Sequence, residues 1–292
     1  MTDRLFVFGC SFTKFHWPTY ADILAKDHKK FYNWGRSGAG NFFIFNSIVE
    51  CNKRNTITAD DTVCVMWSSI AREDRFVKNK WLLSGSIYSQ HIYDQEFVTK
   101  FSDPTGYLLR DLSLISAAKA LLDNIGCKYY FFSIVPFDCY EDMFERWFNI
   151  DYKILSLYKT ELAVIKPSVY QAVFNQDWHS RPGYRDLKNL EKNYYECAGP
   201  DWPNTWQEFL TLYETNQIGP FEEEILDQYF FRKKLIRTDY HPTPLEHLEY
   251  LQKVLPEVSH SDQTLQWVSD MDADVIAQKK CQWAKGELVE RF

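Results

Sequence analysis

The sequence predicts an α/β protein built on a parallel β-sheet with helices on both faces. Three observations carry that prediction. Short apolar runs recur at residues 4–8, 31–34, 62–68 and 128–135. Between them lie longer stretches with helical start and stop signals. Over the first 136 residues the order is therefore β-α-β-α-β-α-β. Strands that alternate with helices pair in parallel, because each crossover helix returns the chain to the same end of the sheet.

Each element has its own warrant. RLFVF at 4–8 is apolar after Arg4 and stops at Gly9, as a strand covered on both faces would. Pro18 suits a first helical turn, so 18–29 reads as a helix. FYNW at 31–34 is a second short strand, followed by the glycine-rich turn GRSGAGN. Asn41 is expected to cap a helix that runs to about residue 53. TVCVMWS at 62–68 is rich in β-branched and aromatic side chains, a third strand. Asp103 as N-cap, Pro104 at the first position and Gly126 past the end delimit the next helix. Leu108, Leu112, Ile115, Leu122 and Ile125 recur along it at helical spacing. KYYFFSIV at 128–135 is a fourth strand, ended by Pro136.

The rhythm breaks at residue 137. Up to 233 the chain holds Trp147, Trp178, Trp202 and Trp206, the turn pairs Pro182-Gly183 and Gly199-Pro200, and a capping-box pattern at Thr205 and Glu208. This reads as a mostly helical insertion or lid. KLIR at 234–237 is a candidate fifth strand. Thr243 and Pro244 then open a helix to about Leu255. Residues 270–290 read as a moderately amphipathic helix in a C-terminal extension, 257–292. The expected core is thus 1–136 with 234–256.

Composition narrows the function. The chain has 292 residues, ample for a buried core without disulfide or metal staples. With 33 basic and 40 acidic residues its formal net charge is −7, opposite in sign to the basic surface that nucleic acid needs. No run approaches a membrane-spanning length, and Arg4 leads straight into a strand rather than a signal peptide. No membrane or nucleic-acid partner is therefore expected. Seven cysteines, with no CxxC, point to free thiols in a reducing, cytoplasmic compartment. Aromatics at 17% are expected mainly to fill the core, with sugar stacking as the alternative.

Ligands of an open parallel sheet bind at the carboxyl ends of its strands. The polar residues there are Ser11 after strand one, Gly38 and Asn41 after strand two, Ser68 and Arg72 after strand three, and Asp239 and His241 after the last. A serine hydroxyl becomes a nucleophile only with a base in reach, and His241 is the candidate base. Asp239 is the candidate for orienting the imidazole. The developing oxyanion needs donors; the Gly38 backbone N–H and the Asn41 amide are candidates. Each residue also has a plainer reading. Ser11 and Asp239 can serve turns, His241 can bond backbone beside Pro242, and Arg72 can be a surface ion-pair partner. His16, His179, His247 and Cys10 read as structural. No HExxH, CxxC or acidic cluster with ligand spacing occurs, so neither metal nor cofactor is expected.

FVFGCSFT at 6–13, NWGRSGAGN at 33–41 and DYHPTPLEH at 239–247 resemble the blocks of the SGNH (GDSL-like) hydrolases, in the family's order. The resemblance covers three short blocks and the alternating pattern around them. It implies a flavodoxin-like three-layer α/β/α sandwich and hydrolysis of an ester, for example an O-acetyl group on a carbohydrate. It implies Ser11 as nucleophile and oxyanion donor, Gly38 as second donor and His241 as base. The sequence departs from the family in four places. Cys10 stands in the GDS triplet. No asparagine follows strand three, where Ser68, Ser69, Arg72 or the earlier Asn41 would substitute. Asp239 lies two residues before His241 rather than three. The insertion at 137–233 is extra. A non-catalytic glycan-binding protein on the same fold, or an acyltransferase, is the alternative.

Overall fold

Strand β1 (Arg4–Phe8) is an inner strand of the sheet. Leu5, Phe6, Val7 and Phe8 are all fully buried, so side chains on both faces are covered, as the unbroken apolar run requires. The computed structural model describes residues 4–87, 93–137, 151–174, 208, 241–276 and 281–283. The chain divides into two compact units, residues 1–173 with 241–292, and residues 174–240. The second lies almost wholly outside the described residues, as do Trp147, Trp178, Trp202, Trp206, the Thr205 end of the capping box and the 234–237 segment.

β1 is flanked in parallel by β2 (Lys30–Asn33) and β3 (Thr62–Trp67), and β3 in turn pairs in parallel with β6 (Lys128–Ser133). The order β2-β1-β3-β6 is that of a doubly wound sheet. In register, Val65 sits beside Phe131 and Met66 beside Phe132, on opposite faces. At the edge beyond β6, Ile165 forms a single parallel bridge with Phe131, and the Lys166 N–H donates to the Phe131 carbonyl at 2.8 Å.

Helices cover both faces. α1 (Tyr20–Leu24), extended by a 3₁₀ turn at Ala25–Asp27, is shorter than the expected 18–29. Its cap is Thr19, whose backbone is extended (φ −111°, ψ 178°) and whose hydroxyl and Asp22 form a capping box, so Pro18 stays outside the helix. α2 (Asn41–Asn55) packs against α4 (Pro104–Ile125) on the opposite face. α4 keeps the signals read from sequence: the Asp103 side chain accepts the Gly106 N–H, Pro104 fills the first position, and Gly126 closes the helix at φ +75°. Between β3 and α4 lie a β-hairpin, β4 (Arg72–Val77) with β5 (Lys80–Ser86), and α3 (Gln95–Phe101), none of which the sequence pattern predicted. After β6 come short turns, α5 (Lys159–Leu162) and α6 (Val169–Ala172).

α7 (Pro244–Val254) opens as predicted, with a capping box between Thr243 and Glu246. It packs beside α1, and Tyr20 and Tyr250 both meet Phe132 edge-on. α8 (Asp262–Ile276) starts eight residues earlier than the expected 270–290 helix. Ser261 supplies the reason: its hydroxyl accepts the Thr264 N–H at 3.2 Å, starting the helix there. Residues 277–280 and 284–290 of that expectation lie outside the described residues.

Candidate active site

The sheet order places the ends of β1 and β3 side by side, the topological switch point of this architecture. The chain leaves β1 through Gly9, where any side chain is excluded: a Cβ there would overlap the Thr13 hydroxyl oxygen. A tight turn follows, with the Thr13 and Lys14 N–H groups both donating to the Cys10 carbonyl at 3.0 and 3.2 Å. Cys10 is buried and its Sγ accepts the Phe12 N–H at 3.5 Å, a structural role. Ser11 sits at the crest of the turn, 6% exposed. Among the described residues neither its N–H nor its hydroxyl has a hydrogen-bond partner.

The glycine turn is bound to this one. The Trp34 N–H donates to the Val7 carbonyl at 2.8 Å and the Arg36 N–H to the Gly9 carbonyl at 3.0 Å. Asn33 donates from its amide to the Thr13 carbonyl at 3.0 Å and accepts the Gly35 N–H at 2.9 Å. Gly38 takes φ +78°, and a Cβ there would lie 2.8 Å from the Leu83 carbonyl oxygen. Its own carbonyl accepts the Gly85 N–H at 3.1 Å, which ties the base of the hairpin to the turn. Its N–H donates to no acceptor among the described residues. Among the described residues, Ser11 and Gly38 thus each hold an uncommitted backbone donor.

Asn41 is placed differently. It is the first residue of α2 rather than its cap, because the N-cap is Gly40. The capping oxygens come from the hairpin: Asp74 accepts the Gly40 N–H at 2.8 Å and the Phe43 N–H at 2.9 Å. Asn41 itself is fully buried. Its amide donates to the Ser68 carbonyl at 3.0 Å and to Asp111 Oδ2 at 2.6 Å, and its carbonyl oxygen accepts the Ser68 N–H at 2.7 Å. Both amide hydrogens are engaged, so the geometry leaves none for an oxyanion. Ser68 is also fully buried, its hydroxyl without a hydrogen-bond partner among the described residues, out of reach of a substrate.

Behind these residues runs a polar network that the sequence did not reveal. Asp111, fully buried on α4, accepts from Arg110 Nε at 2.7 Å as well as from Asn41. Burial pushes its carboxyl up to about 6, against the pull of the Arg110 guanidinium. Burial likewise raises the Asp74 carboxyl, opposed by the two N–H groups it caps. Arg110 reaches on to the Arg72 carbonyl at 3.0 Å and to Glu73 at 3.3 Å, and the Tyr107 hydroxyl donates to Glu73 at 2.8 Å. Arg72, half-buried, donates to the Ala39 carbonyl at 2.9 Å. Its guanidinium therefore borders the glycine turn, and among the described residues it makes none of the ion pairs that the plainer reading allowed.

His241, from the other end of the chain, lies against the turn after β1. Its ring stacks on Phe15 with centroids 3.8 Å apart and planes 15° apart, and lies 5.0 Å from the Phe12 ring. The Trp17 indole N–H donates to the Pro242 carbonyl at 2.8 Å. The structure thus brings His241 to the segment that carries Ser11. Asp239 lies outside the described residues. His247 is buried among Phe12 and Tyr20, and His16 is exposed. No group of three or more His, Cys, Asp or Glu among the described residues is arranged to hold a metal ion. No helix among them is long and apolar enough to cross a membrane.

In sequence the chain matches no family profile and no curated protein. Among solved structures it is similar to a member of the lipolytic protein G-D-S-L family from Veillonella parvula DSM 2008. That match has a TM-score of 0.36 and 14% identity, over 74% of this chain and 97% of that one. It is also similar to a protein from Desulfitobacterium hafniense DCB-2 assigned to the same lipolytic family. There the TM-score is 0.34 and the identity 10%, over 59% of this chain and 79% of that one. Neither likeness, at these scores, identifies the chain's fold or its reaction.

Proposed function

We propose that the chain is a serine ester hydrolase of the SGNH type. The observation that carries the reading is the packing of His241, through Phe12 and Phe15, on the segment that carries Ser11. In the proposed reaction the Ser11 oxygen attacks the ester carbonyl carbon while His241 takes the hydroxyl proton. The oxyanion is held by the uncommitted N–H groups of Ser11 and Gly38. Collapse expels the alcohol, which receives the proton from His241, and leaves an acyl group on Ser11. Water, deprotonated by His241, then releases the acid. Asp239 is the proposed partner that orients the imidazole. Such hydrogen bonds often tighten only with substrate bound, so the unbonded Ser11 hydroxyl fits a resting enzyme.

Asn41 has no part in this reaction: it holds the end of β3 to α2. Arg72, beside the glycine turn, is the proposed contact for the substrate's polar group. An O-acetylated carbohydrate is the proposed substrate class, and transfer of the acyl group to a sugar hydroxyl would use the same residues. The missing third oxyanion donor favours one alternative, a non-catalytic binding protein on this fold. Two measurements decide. A fluorophosphonate probe is expected to label wild type and not Ser11→Ala, and an aryl acetate is expected to be turned over by wild type and not by His241→Ala. Full labelling of Ser11→Ala, or no turnover by wild type, refutes the hydrolase.

A further inference from the structure

An imidazole that shuttles a proton must present its ring edge, where both nitrogens lie, to its partners. The torsion that turns the ring is soft, so its plane has to be fixed by something outside the side chain. Here aromatic rings do it. Phe15 lies flat on one face of His241, centroids 3.8 Å apart and planes 15° apart. Phe12 approaches at 5.0 Å, tilted by 46°. Turning the imidazole out of its plane would drive it into the Phe15 ring. Phe15 is itself held: the Trp17 indole meets it edge-on at 4.5 Å and 82°. The same indole donates to the Pro242 carbonyl at 2.8 Å, fixing the backbone one residue past the histidine.

We infer that Phe15 is a positioning residue for His241, holding the imidazole plane so that the ring edge, where its nitrogens lie, stays free to meet its partners. The inference rests on the hydrolase reading. Phe15 is half-buried and reaches the reaction only through the histidine, so its loss should lower kcat and leave KM in place. The worth of one aromatic pair beyond its buried area corresponds to about a 2–13-fold fall in kcat.

The test compares Phe15→Leu, which keeps apolar bulk without a ring, with Phe15→Tyr, which keeps the ring. Two readouts are taken on the full chain: steady-state hydrolysis of an aryl acetate, and the proton resonances of the His241 ring, assigned by their loss in His241→Gln. A stacked phenyl ring displaces those resonances upfield. The expected result is that Phe15→Leu loses both the displacement and kcat at unchanged KM, while Phe15→Tyr keeps both. Undisplaced His241 resonances in wild type overturn the stacking, whatever the activity. Lost displacement with wild-type kcat in Phe15→Leu overturns the positioning role and leaves the hydrolase standing. A wild type that stacks but neither turns over ester nor labels at Ser11 overturns the inference together with the hydrolase reading. Should Phe15→Leu fail to fold, the wild-type resonances and the kcat of Phe15→Tyr decide.

Discussion

Replacing Asn41 by alanine should cost far more stability than loss of one polar side chain usually does. The amide makes three hydrogen bonds in a fully buried place: from the Ser68 N–H at 2.7 Å, to the Ser68 carbonyl at 3.0 Å, and to Asp111 at 2.6 Å. Alanine leaves the Ser68 N–H and carbonyl without these bonds and strips Asp111 Oδ2 of its amide donor, while Asp111 Oδ1 keeps Arg110. An orphaned buried donor or acceptor costs ~1–3 kcal/mol. Water entering the vacated volume would recover part of that, so the expected loss is about 3–5 kcal/mol. Urea unfolding followed by far-ultraviolet circular dichroism and by tryptophan fluorescence measures it. The midpoint should fall with the slope unchanged and the two probes coincident. Asn41→Asp sharpens the test, because it keeps the acceptor for the Ser68 N–H but turns a carboxylate oxygen toward Asp111. It should be at least as unstable as the alanine variant at neutral pH and recover as acid protonates one of the two carboxyls. A loss below about 1 kcal/mol for Asn41→Ala would refute the claim that this amide joins α2 to the end of β3.

The other expectations are simpler. Gly38→Ala must accept φ +78° and a Cβ 2.8 Å from the Leu83 carbonyl oxygen. About 1–3 kcal/mol of stability should be lost, with slower fluorophosphonate labelling; unchanged urea midpoint and labelling rate would argue against it. Asp111 binds its proton more tightly in the folded chain, its carboxyl standing at about 6 against an ordinary 3.8. Its contribution is therefore fully present below about pH 4 and lost as pH rises through 6, so wild-type stability relative to Asp111→Asn should fall by about 2–3 kcal/mol across that window. A difference flat with pH would contradict the burial argument. Asp74→Ala uncaps α2 from outside the helix and should cost about 1–2 kcal/mol by urea midpoint. An unchanged midpoint would mean the cap is idle.

The frame of the fold was readable because its signals are local. The Asp103, Pro104 and Gly126 set of α4, and the Thr243 cap of α7, depend only on residues a few positions apart. The hairpin escaped notice because REDRFVKNKWLLSGS has no glycine or Asn-Gly at its turn. Lys78 and Asn79 take positive φ instead, at 49° and 61°. Asn41 looked like a cap because of what precedes it in sequence; the capping carboxylate, Asp74, comes from 33 residues beyond. Asp111 had a signal that passes easily for a solvated face. It shares a helical stripe with Leu108, Leu112 and Ile115, and an acid in that register must be buried and bonded. The meeting of Phe15 and Trp17 with residues 241 and 242 had no signal, since nothing in a linear chain marks a contact across more than 220 positions.

The hairpin is not a detachable ornament. Its Asp74 completes the start of α2 and its Gly85 N–H braces the carbonyl of Gly38. A shortened chain that skips residues 72–86 would fray the beginning of a long helix and slacken the glycine turn in one stroke. Any effort to widen access from that side by trimming is therefore expected to fail unless a serine or aspartate is first installed at position 40 to start the helix from within. That graft suits only the shortened chain, because with the hairpin in place a Cβ on Gly40 would lie 2.8 Å from that of Arg72.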